Sequence, residues 1–208
     1  GVLCFFVSHI SRSFFQLTLR PLPEGEREAY VEYPAELEPY VRLNTQGDTL
    51  HLSVLSLDSL QEARRAVHLS GVGATLYLPD GQLEEAEAAG AMLLLMERMS
   101  SNRPLLLRGD GMVNLYDSCR FANLRRAGRL SLRMADSRVD TLALNLSEGS
   151  GWQMGGCRIG VLDLSGDRQV DCDLSGTEVG QVRWHPQDGD ARLRVTLGST
   201  PASIVYEK

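Results

Sequence analysis

Three arginines recur at nearly even spacing, Arg120, Arg138 and Arg158, and Glu178 takes the next place in the series. If the segments that carry them stack, three guanidinium groups stand in file with a carboxylate at the end. Planar forks in a row suit carboxylate, sulfate or phosphate groups on an extended polymer. Like charges facing each other across strands are unfavourable, so such a file asks for a reason. The competing reading is a solvated row balanced by Asp136, Asp140 and Glu178. A second group, Asp163, Asp167, Asp171 and Asp173, has the residue type that serves polysaccharide lyases and hydrolases as calcium ligand or as acid and base. Alternation sends Asp163, Asp171 and Asp173 outward as solvated positions and leaves Asp167 in a corner. No run of acids accompanies them on the adjacent segments. Of the two tryptophans, either of which could stack on a sugar ring if exposed, Trp184 continues a leucine column and reads as core. Trp152 follows a glycine-rich corner and joins Arg120, Arg138, Arg158 and Glu178 as a candidate ligand-binding residue.

Other chemistries find no foothold. His9, His51, His68 and His185 are scattered and unphased, which suggests neither a metal site nor a nucleophile-base pair. No nucleophile elbow, phosphate loop or dinucleotide fingerprint is present, so no cofactor is expected. Gly71-Val72-Gly73 and Gly109-Asp110-Gly111 read as corners. Asp110, Asp117 and Asp136 read as turn residues whose side chains cap backbone groups. The formal charge of -6 argues against sequence-independent nucleic-acid binding. No apolar run approaches the ~18 residues of a membrane span.

The elements that would hold these residues are set by glycine. Gly71, Gly90, Gly109 and Gly128 follow at intervals of 19, and Gly166 lies two such intervals further on. A fixed period of this size marks a repeat architecture, in which each unit buries its apolar face only against its neighbours. Four residues before the glycine stand Val67, Ala86, Leu105, Leu124 and Leu162. Two before it stand Leu69, Ala88, Leu107 and Leu164, with Arg126 the exception. Upstream, Cys119, Ser137, Cys157 and Thr177 form another column, followed two residues on by Phe121, Val139, Ile159 and Val179. After the glycine come Leu130-Leu132-Met134, Val170-Cys172-Leu174 and Leu193-Val195-Leu197. Alternation with period two means strand. Units of 18–20 residues with three short strands and polar corners are too short for helical crossovers, so the chain must coil on itself as an all-β, single-stranded parallel β-helix. Stacked coils lie about 4.8 Å apart, and six or seven make a rod about 30 Å long. Cys119 and Cys157, two coils apart, would then exceed the ~7 Å reach of a disulfide and serve as small buried ladder residues, with Cys172 another.

One structural domain is expected, in two parts. Residues 1–66 form a strand-rich entry and capping segment, and residues 67–208 form the coils and a C-terminal cap. Val2–Val7 reads as a first strand or the tail of something upstream. Phe15-Leu17-Leu19 and Ala29-Val31-Tyr33 alternate, and Val41-Leu43, a turn at Gly47-Asp48, and Leu50-Leu52-Val54 read as strand, turn, strand. Such a meander can close the open end of a solenoid. A short helix is expected from Asp58 to Arg65, with Ser59 and Glu62 at capping-box spacing. Leu83–Met99 holds strong helix formers, but the 19-residue phase on both sides predicts strand. Leu193–Leu197 and Ile204–Tyr206 are expected to finish the rod with a cap.

Tyr33 to Val54, with Leu37, Tyr40-Val41-Arg42-Leu43 and Gly47-Asp48-Thr49-Leu50-His51-Leu52, resembles the entry segment of the auto-transporter adhesin head GIN domain family. The steps Leu69-Ser70-Gly71, Leu164-Ser165-Gly166 and Leu174-Ser175-Gly176 are similar to that family's strand-Ser-Gly units. The resemblance runs over roughly residues 10 to 200 and departs at Trp184-His185-Pro186. It implies a right-handed β-helix, exported to the periplasm or cell surface of bacteria, with no catalytic residues to carry over. The expected function is a non-catalytic, adhesin-like envelope module that takes an acidic glycan or a surface protein on its flat flank. A polysaccharide lyase or hydrolase is the alternative, and a structural spacer the third possibility.

Overall fold

The computed structural model describes residues 2–7 (backbone only), 15–54, 73–90, 92–147 and 151–207, and is a parallel β-helix of about 6 turns. Its strands in chain order are β1 (Val2–Val7), β2 (Phe15–Pro21), β3 (Tyr30–Glu32), β4 (Val41–Gln46), β5 (Thr49–Val54), β6 (Gly73–Leu78), β7 (Glu85–Ala88), β8 (Met92–Glu97), β9 (Ser100–Gly109), β10 (Met112–Tyr116), β11 (Arg120–Arg126), β12 (Ser131–Ala135), β13 (Arg138–Asn145), β14 (Trp152–Gly155), β15 (Arg158–Gly166), β16 (Gln169–Leu174), β17 (Glu178–Pro186), β18 (Arg192–Leu197) and β19 (Ser203–Tyr206). Ten form one sheet in the order β4-β5-β1-β7-β9-β11-β13-β15-β17-β19. Seven form a second, β3-β6-β2-β8-β10-β12-β14, and β16 pairs with β18. The helix expected from Asp58 to Arg65, together with Val67, Leu69 and Gly71, lies outside the described residues. Leu83–Met99 contains β7 and β8, so the period outweighs helix propensity there.

In the coils from β9 onward the three expected inward segments are present, with the first two joined as one bent strand. In β13 the buried residues are Val139, Leu142 and Leu144, so strict alternation skips a step at Asp140 and Thr141. β15 and β17 repeat the skip with Ile159, Leu162, Leu164 and Val179, Val182, Trp184. Backbones close in at this bend. A Cβ on Gly160 would lie 2.6 Å from the Asp140 carbonyl oxygen, and one on Gly180 2.8 Å from that of Gly160.

Coils sit in vertical register. The amides of Arg120, Arg138, Arg158 and Glu178 donate to the carbonyls of Met99, Cys119, Ser137 and Cys157 at 2.8–3.0 Å. Met99, Cys119, Ser137, Cys157 and Thr177 are thereby a single buried column. Phe121, Val139, Ile159 and Val179 stack beside it. Leu107, Arg126, Leu144, Leu164 and Trp184 stack on the next side, confirming Trp184 as core. Each fully buried leucine in these ladders contributes about 1.5–3 kcal/mol.

The glycine ruler errs in one place. It pairs Ala86 with Leu105, whereas the structure pairs Ala86 with Leu107 and Ala88 with Gly109. The second sheet keeps the interval of 19, Leu94 facing Val113. The path from Ala88 to Leu94 is thus two residues longer than the equivalent path from Gly109 to Val113. An even slip keeps every side chain on its own face, so the core is undisturbed.

The N-terminal segment divides differently from the expectation. β1 lies between β5 and β7, and β2 between β6 and β8, so the first coil in the chain is inserted above the second. Only residues 22–48 act as a cap. β3 runs antiparallel to β6, β4 runs antiparallel to β5, and fully buried Leu37 on a short 3-10 turn, Ala35–Leu37, plugs the end. The opposite end has no such cap among the described residues. β18 and β19 extend the sheets in parallel and leave Leu197, Ile204 and Tyr206 exposed, which corrects the expected C-terminal cap.

Candidate functional site

The arginine file exists. Arg120 faces Arg138, Arg138 faces Arg158 and Arg158 faces Glu178 in the parallel ladder, all pointing outward from the Cys119-Ser137-Cys157-Thr177 column. At a strand spacing near 4.8 Å in water, two such charges repel by about 1 kcal/mol. Local acids offset part of this. Arg158 Nε lies 2.8 Å from Glu178 Oε2, and Arg138 Nε lies 3.5 Å from Asp140 Oδ1. Among the described residues Arg120 has no acidic partner. Both pairs are exposed, with two-thirds or more of each arginine side chain in water, so they contribute little to stability. Beside the file runs a groove of about 390 Å³ whose floor is Gly160 and Gly180 and whose rim carries Arg138, Arg158 and Glu178. The same backbone closeness that demands glycine at the bend therefore clears space next to the guanidinium groups.

Trp152 does not join them. It lies on the second sheet, in register with buried Leu132, and its half-buried side chain packs inward against the core. Its position after a glycine-rich stretch of sequence gave no sign of the face it takes. The aspartates are dispersed. Asp163 is on β15, Asp171 and Asp173 are on β16 in another sheet, and Asp167 is in the corner between them. Asp171 pairs with Arg194 at 3.6 Å, and Asp173 accepts the Ser175 amide at 2.9 Å. That hydrogen bond holds the Asp173 carboxyl below the usual range. Asp110 does cap a corner, accepting the Gly90 amide at 2.7 Å. Asp117 and Asp136 adopt left-handed backbone at the corners before Cys119 and Ser137.

One association escaped the sequence. His185 Nε2 stands 2.7 Å from Asp163 Oδ1, with Nδ1 3.7 Å from Glu207 Oε2. The signal was a separation of one 20-residue coil plus two, which places the two side chains diagonally on neighbouring strands of the outer face. The carboxylates address opposite ring nitrogens, so they do not converge on one ion. Among the described residues no group of three or more His, Cys, Asp or Glu side chains is placed to hold a metal ion. No helix is long and apolar enough to cross a membrane.

Cys119, Cys157 and Cys172 are free and buried. Burial pushes the Cys119 thiol up to about 11, Cys172 to about 12, and raises Cys157 as well. The Cys119 thiol also donates to the Met96 and Tyr116 carbonyls. Since folded values exceed the ordinary 9.0, this contribution to stability is complete below pH 9 and is lost as pH rises through the folded values. Above about pH 9 each such thiol should remove about 1.4 kcal/mol of stability per pH unit. Urea denaturation between about pH 9 and about pH 11 should show that slope, and Cys172→Ala should flatten it by one thiol's share. An unchanged slope in the variant would show that Cys172 ionises as readily folded as unfolded.

The class defined by this geometry is a parallel β-solenoid with a file of arginines on one flank. Comparison with protein-family models, curated proteins and solved structures finds no match to the chain.

Proposed function

We propose that this chain is a non-catalytic binding module that takes an acidic glycan along the flank carrying Arg120, Arg138 and Arg158. The observation that carries the reading is the file itself. Three exposed guanidinium groups stand on consecutive strands, one without an acidic partner among the described residues and the other two beside a groove. A repeating polyanion answers a cation that recurs on three successive coils, and rigid stacking fixes the spacing of the strands that carry it. An exported, periplasmic or cell-surface location and an adhesin-like role belong to the same proposal. They rest on the resemblance of Tyr33–Val54 and of the Leu-Ser-Gly steps.

Polygalacturonate and heparin, a carboxylate and a sulfate polymer, are the probes. Wild type should bind at least one of them, more weakly as salt screens the charges. Arg138→Glu should lower affinity about tenfold or more, since it inserts repulsion at the centre of the file. Failure of both probes to bind wild type, or equal binding by the variant, would remove the proposal. Retention of an acidic surface protein instead of either polymer would move the ligand class from glycan to protein.

A further inference from the structure

The second sheet carries a separate cleft of about 390 Å³ on its outward face, away from the arginine file. Its lining includes Leu95, Asn114, Arg133 and Gln153, successive partners across β8, β10, β12 and β14. Tyr116 forms one side, and Ala135 faces Gly155 across β12 and β14, where larger side chains would fill the depression. The size lies within the range of small-ligand sites.

Its chemistry is specific. Asn114 Oδ1 is buried and accepts no hydrogen bond. A buried acceptor without a donor costs about 1–3 kcal/mol, a cost that a ligand hydroxyl or N–H could cancel. Asn114 itself lines the cleft, next to where a ligand would lie. Arg133 and Gln153 are exposed donors at the rim, and Arg133 has no acidic partner among the described residues. Tyr116 and Leu95 add apolar surface. An anion would be drawn by Arg133 but has no hydrogen to give to the buried acceptor on Asn114. A ligand whose hydroxyls both donate and accept, and which carries an apolar face, pairs the donors and the acceptor of the cleft together.

We infer that this cleft binds one pyranose residue of a neutral glycan. A ring hydroxyl donates to Asn114 Oδ1, other hydroxyls accept from Arg133 and Gln153, and the C–H face of the ring lies against Tyr116 and Leu95. The site does not depend on the arginine file, which occupies the other sheet.

The test uses cellotriose, maltotriose and chitotriose as probes at about 10 mM, a concentration suited to single-residue affinities, with saturation-transfer NMR and calorimetry. At least one should bind wild type. Ala135→Trp fills the cleft from an exposed position and should cut that affinity about tenfold or more, with the fold preserved. Asn114→Leu should also weaken binding about fivefold while holding or raising the melting temperature, because it removes an unpaired buried acceptor. Arg138→Glu should leave trisaccharide binding unchanged. If none of the three trisaccharides binds, or if Ala135→Trp binds as wild type does, the cleft is not a sugar site.

Discussion

Arg126→Ala is expected to cost about 3–5 kcal/mol of folding stability, a cavity in the ladder added to the loss of donors at corner carbonyls. Arg126 is 1% exposed and sits in the inward column between Leu107 and Leu144, where its neighbours are leucine. Its guanidinium leaves that column for the next corner. It donates to the carbonyl of Asn145 at 2.7 Å, of Gly151 at 3.4 Å and of Leu130 at 3.5 Å. These oxygens belong to the corners that join β11 to β12 and β13 to β14, so one side chain ties two successive coils together where their backbones turn. Alanine would both open a cavity in the ladder and strip donors from the corner carbonyls. Arg126→Leu separates the two effects. It restores the column of leucines and should recover the cavity share, leaving about 1–3 kcal/mol for the lost donors. Urea midpoints with unchanged slopes would measure both variants. A leucine variant as stable as wild type would show that the corner carbonyls find other partners.

Arg126 also marks where sequence and structure part company. The columns that surround it were legible, because like residues at a fixed interval become vertical neighbours only if the coils stack. Cys119, Ser137, Cys157 and Thr177 do stack, and with them the outward arginines. The exception in the leucine column was visible too. Its reason was not, since a guanidinium that bonds corner carbonyls depends on backbone positions that periodicity does not encode. The slip at Ala86 was hidden for a similar cause: a two-residue lengthening of one corner preserves alternation, so the inward pattern reads the same in either register. The insertion of β1 and β2 between later strands was hidden more deeply. Strand alternation identifies a strand but does not name its partner.

The candidate sites follow the same division. The arginine file was recoverable because it repeats, coil upon coil. The cleft at Asn114 was not, because its members differ in type: a leucine, an asparagine, an arginine and a glutamine share one ladder position. Sites built from unlike residues at equal phase are invisible to a search for likeness. The pairing of His185 with Asp163 was missed for a further reason, its diagonal offset from the phase of the ladder.

Gly109→Ala should be the most damaging single methyl in the described coils. Gly109 has φ +120, and a Cβ placed there would lie 1.9 Å from the carbonyl oxygen of Ala88. That oxygen is backbone and cannot rotate away. It also accepts the amides of Asp110 at 3.1 Å and Gly111 at 3.0 Å, which together hold the β9 corner on the coil below. Moving the oxygen to admit a methyl would break both bonds and part the two coils at the point where the register already departs from 19. Gly25 and Gly81 supply the control. They too have positive φ, +94 and +73, but nothing lies within 4 Å of a Cβ at either site. Alanine there should cost only the conformational penalty, about 1–2 kcal/mol. Gly109→Ala adds the steric term and two lost hydrogen bonds, and should exceed those controls by about 2 kcal/mol or more. Because each coil rests only on its neighbours, the damage should also be local at first. Amide exchange should accelerate in β7 and β9 before it does in β15 and β17. Equal losses for Gly109→Ala and Gly25→Ala, or uniform acceleration across all coils, would mean that the closeness to Ala88 is relieved without parting them.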